Sequence, residues 1–227
     1  MDYLHQFLFG IYPYIALAIF LLGSLIRFDR EQYTWKSDSS QLLYPGALRI
    51  GNILFHVGII GLFFGHAAGL LTPVAVWDAI GISHSAKQIF AMVAGGITGT
   101  LCLIGIVILL ARRFASDRLM RVTTFKDKLV MLWILATLLL GLVSIFVSAS
   151  HTDGHMMVQL MTWAQHIVTF RGDAASFIVD APIIFKLHLF MGMSLFVIFP
   201  FTRLVHVWSG FASIAYLGRA YQLVRPR

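Results

Sequence analysis

Five long apolar runs constrain the fold of this chain more than any other feature of its sequence. Each has roughly the 20 residues that a helix needs to cross the hydrocarbon core of a bilayer. Runs such as "LVMLWILATLLLGLV" lack the alternation expected of a transmembrane β-barrel. The sequence therefore predicts an all-α integral membrane protein, a five-transmembrane-helix bundle forming one domain over residues 1–227. The predicted spans are about residues 6–26, 51–72, 88–111, 128–149 and 184–208.

Composition agrees with this prediction and excludes other classes. Of the 227 residues, 59% are hydrophobic and 12% are charged, and the mean hydropathy is +0.83, outside the range of soluble domains. The longest segment outside the spans runs from about Ser150 to Ile183, which leaves no room for a soluble catalytic domain. Cys102 is the only cysteine, so no disulfide forms within the chain, and its position predicts a small buried apolar residue.

Lysine and arginine residues are distributed unevenly, and their distribution predicts the orientation of the bundle. Of the 17, four lie between the first and second spans, six between the third and fourth, and four at the end of the chain, which leaves three for the other side. Because positive residues accumulate in cytoplasmic loops, the N-terminus is predicted outside (periplasmic) and the C-terminus, with a tail over 209–227, in the cytoplasm. The net charge of +7 is then a topology signal and does not indicate nucleic-acid binding. No positive residue precedes the first span, so it is expected to be retained rather than cleaved as a signal peptide.

The connection before the last span has the pattern of an amphipathic helix. We expect a short helix on the outer membrane surface, with Asp153 capping its start and its apolar face in the interface or over the bundle. His151, His155 and His166 are interpreted as ordinary residues of this segment. The apolar stripe at helical spacing consists of Met156, Met157, Leu160, Met161, Ala164, Ile167 and Val168.

Four of the nine histidines lie inside predicted spans, where ionisable residues are functional by default because their burial is costly. His56 and His66 lie in the second span, and His188 and His206 in the fifth. These two spans run antiparallel, so His56 is expected to face His206 at the cytoplasmic level, and His66 to face His188 at the outer level. The two separations differ, at about 15 Å and 27 Å along a helix; tilt and a kink at Pro200 are expected to absorb the difference. Eighteen residues also return His188 and His206 to one face of a continuous helix.

Two histidines at each of two levels fit a pair of planar macrocycles, each held between axial imidazoles. Four histidines at one level would instead suit zinc or copper. No CxxCH motif occurs, so the groups would be two non-covalent b-type haems, without an open iron position and suited to electron transfer across the bilayer. Glycines in the same spans either make room for a ring or allow close helix packing. They are Gly58, Gly61, Gly65, Gly69, Gly95, Gly96, Gly99 and Gly192.

A donor that reaches the outer haem through the membrane should be lipid-soluble, which favours a quinol. Lys87, at the outer end of the third span, is a candidate donor to a quinol oxygen or a haem propionate, or else a lysine that extends to the interface. Lys186 is a weaker candidate, because it points elsewhere on its helix. Arg112 and Arg203 are candidate partners of the inner-haem propionates, although the positive-inside rule alone accounts for them.

Several segments resemble one family, the γ subunits of membrane-bound respiratory nitrate reductases. They are "FLFGIYPYIALAIFLLGSLIRFDREQYTWKSDSSQLL", "NILFHVGIIGLFFGHAAGLLTP", "KQIFAMVAGG", "DGHMMVQLMTWAQHIVTF", "KLHLFMGMSLFVIFPFTRLVHVWS" and "YLGRAYQLVR". The resemblance implies a di-haem cytochrome b of a bacterial or archaeal cell (inner) membrane, with His56 and His206 on the proximal haem and His66 and His188 on the distal haem. It also implies a menaquinol or ubiquinol site formed by Lys87, Gly65 and His66, an iron–sulfur β subunit, and a molybdenum-cofactor α subunit where nitrate is reduced.

Three other functions remain open from the sequence alone. The chain could anchor a different quinone-linked complex, such as a hydrogenase, a formate dehydrogenase or a sulfur-metabolism reductase. It could be a transporter whose intramembrane histidines carry protons or metal ions. A purely structural anchor would explain the apolar spans and leave the four histidines unexplained.

Overall fold

The structure, a computed structural model, describes residues 2–31, 33, 35, 45–150 and 152–217. Within these residues the regular structure is helical, and five helices are long and apolar enough to cross a membrane. An all-α chain with five candidate spans is therefore confirmed. His151 and the "GRAYQLVRPR" segment of the predicted tail, residues 218–227, lie outside the described residues.

The five long helices are joined by shorter ones. Capping explains several boundaries: Ser83 caps one long helix, Thr124 and Asp127 form a capping box at the start of another, and Pro73 follows the end of a third. The long helices are α1 (Tyr3–Arg30), α2 (Pro45–Leu71), α4 (His84–Phe114), α6 (Phe125–Ala149) and α8 (Ile183–Ile198). The shorter ones are α3 (Val74–Ala79), α5 (Asp117–Arg121), α7 (His155–Val168) and α9 (His206–Leu217), with 3-10 turns at Ala174–Ile178, Phe199–Phe201 and Arg203–Val205.

The last predicted span, over 184–208, is broken near Pro200, where the sequence predicted a kink, and the break is large enough that the prediction of one shared helix face for His188 and His206 is wrong. The helix ends at Ile198, Pro200 lies in a 3-10 turn, and Thr202 is extended at φ −124° and ψ −178°. A proline has no N–H to donate and its ring collides with the preceding turn, which explains the end of the helix. His206 begins the separate helix α9, so His188 and His206 do not share a face of one helix.

Glycines bring α2 and α4 into backbone contact. A Cβ atom added to Gly58 would lie 2.4 Å from the backbone nitrogen of Cys102, and one added to Gly105 would lie 2.3 Å from that of Phe55. Only hydrogen fits at these positions. Cys102 is fully buried at this contact, as predicted.

The short helix α7 packs across one end of the bundle. Its buried face includes Met161 and Trp163, and Trp163 Nε1 donates a hydrogen bond to Phe9 O at 2.9 Å. Val168, predicted on the apolar stripe, is 49% exposed because the helix ends there. The cap also differs: Gly154 precedes the helix at φ 81°, and Asp153 Oδ1 accepts the hydrogen bond of the His155 N–H.

Candidate functional site: two histidine pairs

The four predicted histidines form two pairs at opposite ends of the bundle. The ring centroids of His56 and His206 are 6.3 Å apart, and those of His66 and His188 are 6.0 Å apart. The second pair lies at the α7 end, since Gln165 of α7 donates to Leu70 O, one turn beyond His66. His188 lies in α8, before the break at Thr202, and His206 lies in α9, after it, so the two pairs join α2 to different helices.

Every one of the four rings is oriented by a backbone carbonyl. Because a carbonyl oxygen only accepts hydrogen bonds, each Nδ1 carries the proton, and the lone pair of each ring is on Nε2. This is the tautomer that a metal-binding imidazole requires, with the other ring nitrogen held by a backbone group. The Nδ1 contacts are His56 to Asn52 O at 2.9 Å, His66 to Leu62 O at 2.7 Å, His188 to Thr137 O at 3.0 Å and His206 to Arg203 O at 2.6 Å.

The spacing of the rings fits one metal ion between each pair. Two metal–nitrogen bonds of about 2 Å, plus the reach from each nitrogen to its ring centre, put the centroids about 6 Å apart. Among the described residues, no three His, Cys, Asp or Glu side chains converge as a group that could hold a metal. With two histidines as the protein ligands at each position, the donor set is the one by which two axial histidines would hold haem iron.

Six of the eight glycines singled out from the sequence fall into two groups by their surroundings, and at the other two, Gly95 and Gly96, an added Cβ would meet only Ile145 Cδ1, at 3.9 and 4.0 Å. Gly58, Gly61 and Gly99 are packing positions, where an added Cβ would come within 2.4 to 2.8 Å of a neighbouring helix. A Cβ added to Gly65 or Gly192 would meet no neighbouring atom within 4 Å, and the same holds at Gly69. Gly65 precedes His66 and Gly192 lies one turn beyond His188, so in the described part of the chain no neighbouring helix packs against these glycines beside the pair.

Lys87 is buried beside the His66 end of α2 rather than extended to the interface. Lys87 is only 4% exposed, and its Nζ donates to Gly69 O at 3.0 Å and to Met161 Sδ. Nζ also lies 4.6 Å from the centroid of the Trp77 ring. In a helix Gly69 O would accept from residue 73, which is a proline without an N–H, so Lys87 satisfies a carbonyl that Pro73 leaves unpaired.

At the opposite end of the bundle, one carboxylate organises two arginines. Asp127 Oδ1 lies 3.4 Å from Arg203 Nε, and its Oδ2 lies 3.7 Å from Arg113 Nη1. Arg112 is buried, with 8% of its surface exposed. Arg203 therefore already pairs with a protein carboxylate. Lys186 donates to Val179 O at 2.6 Å, away from His188.

Comparison with known sequences identifies the family of this chain. The family described as nitrate reductase gamma subunit matches residues 5–227. The chain belongs to the nitrate reductase gamma subunit family. It is 48% identical over 227 residues to the respiratory nitrate reductase 1 gamma chain of Escherichia coli (strain K12), covering 100% of both chains. It is 36% identical over 222 residues to the nitrate reductase gamma chain of Bacillus subtilis (strain 168), covering 98% of each.

Membership of the gamma subunit family confirms the resemblance seen in the sequence. The Escherichia coli relative is a respiratory nitrate reductase gamma chain, and the Bacillus subtilis relative is a nitrate reductase gamma chain. Family membership and the five candidate spans make this chain a multi-pass membrane subunit of a nitrate reductase. The family also separates the chain from the hydrogenases and formate dehydrogenases considered above.

Three residues around the histidines of this gamma-family chain did not emerge from its sequence. Gly141 lies against His188, since an added Cβ would be 2.9 Å from its Cε1 atom. Asp127 was detectable, because Thr124 and Asp127 have the spacing of a capping box. Arg27 Nη1 donates to the carbonyls of Pro200 and Thr202, a contact between distant segments that no local pattern indicates.

Proposed function

We propose that this gamma-family subunit is the quinol-oxidising cytochrome b of its respiratory nitrate reductase. Quinol would be oxidised at the α7 end of the bundle, with protons released outside. The observation that carries the proposal is the pair of histidine pairs, 6.0 and 6.3 Å between ring centroids, with all four Nε2 lone pairs free of the backbone bonds made by Nδ1.

The four histidines would hold two non-covalent b-type haems. His66 and His188 would ligate the distal haem, and His56 and His206 the proximal one. When bound, the two haems supply one-electron carriers between membrane quinol and an iron–sulfur subunit. The backbone carbonyls at Nδ1 fix the orientation and tautomer of each ring, as outer partners of metal-bound histidines do. Arg112 and Arg203 are proposed near the propionates of the proximal haem.

Lys87 is proposed to bind a quinol oxygen, with Gly65 and His66 forming part of the site wall. An ammonium group has three donors, and the contacts with Gly69 O and Met161 Sδ account for two of them. The remaining N–H, on an ammonium that also lies 4.6 Å from the centroid of the Trp77 ring, is the one proposed to bind a quinol oxygen. The absence of any atom within 4 Å of a Cβ at Gly65 supports room for a ring beside His66. Either menaquinol or ubiquinol fits this chemistry.

The partners would bind at the His56 and His206 end. An iron–sulfur β subunit would accept the electrons, and a molybdenum-cofactor α subunit would reduce nitrate to nitrite. This end contains Arg112, Arg113 and the arginines of α5, which are among the residues on which the positive-inside prediction of a cytoplasmic face rests.

Replacement of a distal ligand tests the function directly. In the assembled complex, His66→Ala and His188→Ala should abolish quinol-dependent nitrate reduction, whereas artificial dyes that donate to the soluble subunits should still drive it. His155→Ala, an exposed histidine at the start of α7, is the matched control and should leave both activities unchanged. Quinol oxidation that survives the loss of the distal haem would contradict the proposal.

A further inference from the structure

We propose that Arg27 is a positioning residue for His206, acting through the helix break that follows Pro200. The inference rests on the proposed role of His206 as a haem ligand. A clamp joins α1 to residues 199–205. Helix α1 is far from His206 in the sequence, whereas residues 199–205 directly precede it.

The break leaves backbone carbonyls that a continuous helix would have paired. Pro200 O and Thr202 O instead accept hydrogen bonds from Arg27 Nη1 at 2.7 and 2.8 Å. Buried carbonyls of a span need a partner, because water is absent from the hydrocarbon region. Both bonds carry the charge of the guanidinium, which makes them stronger than neutral ones.

The surface of α1 is shaped for this contact over one helical turn. Gly23 lies four residues before Arg27, and a Cβ added there would come within 2.8 Å of Pro200 Cγ. The Pro200 ring therefore packs at Gly23 while the carbonyls on either side of Phe201 bind at Arg27. Gly23 and Arg27, on one face of α1, thus both contact the segment where the helix is broken.

The clamped segment leads directly to the ring of His206. Thr202 Oγ1 accepts from the N–H of Leu204 at 3.4 Å, and the next carbonyl, Arg203 O, accepts from His206 Nδ1 at 2.6 Å. The Arg203 side chain is held from the other direction by Asp127 at 3.4 Å. The carbonyl that orients His206 therefore belongs to a residue whose side chain is held by Asp127 of α6 and whose preceding carbonyl, Thr202 O, is held by Arg27 of α1.

The other histidine pair does not depend on this clamp. His188 lies within the regular helix α8, and its Nδ1 bonds Thr137 O of α6. Loss of the Arg27 contacts should consequently disturb the His56 and His206 pair and leave the His66 and His188 pair as it is. A general loss of folding would disturb both.

The experiment compares Arg27→Gln and Arg27→Lys with Arg30→Gln in the assembled, detergent-purified complex. Arg30 is the matched control, because it lies three residues further on α1, is 80% exposed and pairs only with its neighbour Asp29 at 3.1 Å among the contacts described. Hydrogen–deuterium exchange over residues 199–206 reports the clamp without reference to haem. Low-spin EPR and optical redox titration report each haem, with the proximal signal assigned by its loss in His206→Ala.

Arg27→Gln should raise exchange over 199–206 by about tenfold or more, as expected for the loss of charged hydrogen bonds, and should shift only the proximal signal. Arg27→Lys, which retains a cationic donor, should show a smaller change in both readouts, and Arg30→Gln none. Unchanged exchange in Arg27→Gln, or an equal shift of both haem signals, would overturn the inference. If Arg27→Gln does not assemble, Arg27→Lys decides between the same outcomes. Wild-type complex without haem would refute the proposed function, while the exchange data would still decide the clamp.

Discussion

The two histidine pairs reach nearly the same ring separation by different means. At the α7 end, His66 and His188 lie within regular helices, and His188 is oriented by Thr137 O of the neighbouring helix α6. At the other end, His206 follows a broken segment and is oriented by Arg203 O within its own turn. The first pair depends on helix packing, whereas the second depends on side chains that hold irregular backbone.

The break also resolves the mismatch in spacing between the two helices. Ten residues separate His56 from His66, but eighteen separate His188 from His206, and a continuous helix would place the latter about 12 Å further apart. The irregular backbone from Phe199 to Val205 changes the path of the chain, so both centroid distances come out near 6 Å. Irregular backbone within a membrane requires hydrogen-bond partners for its polar groups. Arg27 binds two of its carbonyls, and Asp127 pairs with the Arg203 side chain.

The largest effect should come from breaking the support that both pairs share, the contact of α2 with α4. Gly105→Ala would place a Cβ 2.3 Å from the backbone nitrogen of Phe55, so the helices must separate. We expect a destabilisation of about 3 kcal/mol, measured as a lower thermal midpoint of the purified complex, with both haem signals reduced together. Gly46→Ala, where an added Cβ meets no atom within 4 Å, is the control. A selective loss of one haem in Gly105→Ala would contradict the shared role of α2.

A smaller change should disturb only the α7-end pair. Gly141→Ala would put a Cβ 2.9 Å from His188 Cε1 and push the ring from its position. We expect a cost of about 1–3 kcal/mol at this site, seen as a shifted potential or reduced occupancy of the distal haem in a redox titration. Gly95→Ala, whose nearest neighbour would be Ile145 Cδ1 at 3.9 Å, should leave both haems unchanged. An equal effect on the proximal haem would show that the two sites are not independent.

Substitutions of Lys87 and Gln165 distinguish a role in capping the end of α2 from a role in quinol binding. Both donate to carbonyls at its end, Lys87 to Gly69 O and Gln165 to Leu70 O and Thr72 O. Each change to Ala should cost about 1–2 kcal/mol of stability, measured by thermal unfolding. Only Lys87→Ala should also raise the KM for quinol, in steady-state assays at saturating nitrate. A similar KM increase in Gln165→Ala would mean that Lys87 acts through the end of α2 alone.

The smallest effect is expected at the surface of the α7 end, and it depends on pH. His166 Nδ1 lies 2.7 Å from Asp173 Oδ1, and this hydrogen bond lowers the pKa of Asp173. The stabilisation is present above the ordinary carboxylate pKa of about 3.9 and is lost as pH falls through the lowered value. Asp173→Asn should therefore reduce the thermal midpoint slightly near neutral pH, and the difference from wild type should vanish in acid. Asp180→Asn, exposed in the same connection, is the control; a difference that persisted in acid would exclude the explanation by a hydrogen bond to the Asp173 carboxylate.

Local sequence patterns predicted the features that depend on composition and periodicity. The five spans follow from apolar runs long enough to cross a bilayer. The short helix α7 follows from its apolar stripe at helical spacing, and the burial of Cys102 follows from its small apolar side chain. The end of α8 was only partly predictable: Pro200 indicated a kink, but the extended Thr202 has a carbonyl that accepts from Arg27, which lies 175 residues earlier in the chain. For Lys87 the sequence left two roles open, a donor to a quinol oxygen or haem propionate and a lysine extended to the interface. Its burial could not be predicted, because Met161 and Trp77 approach it only in the folded chain.

A haem count on the purified complex tests the central claim most directly. A dithionite-reduced minus oxidised optical spectrum, with a pyridine haemochrome assay, should give two b-type haems per chain in the wild type. His66→Ala and His188→Ala should each give one, with the remaining signal belonging to the pair whose centroids are 6.3 Å apart. Folded wild-type protein without haem would contradict the account and return the four histidines to a proton or metal-ion path.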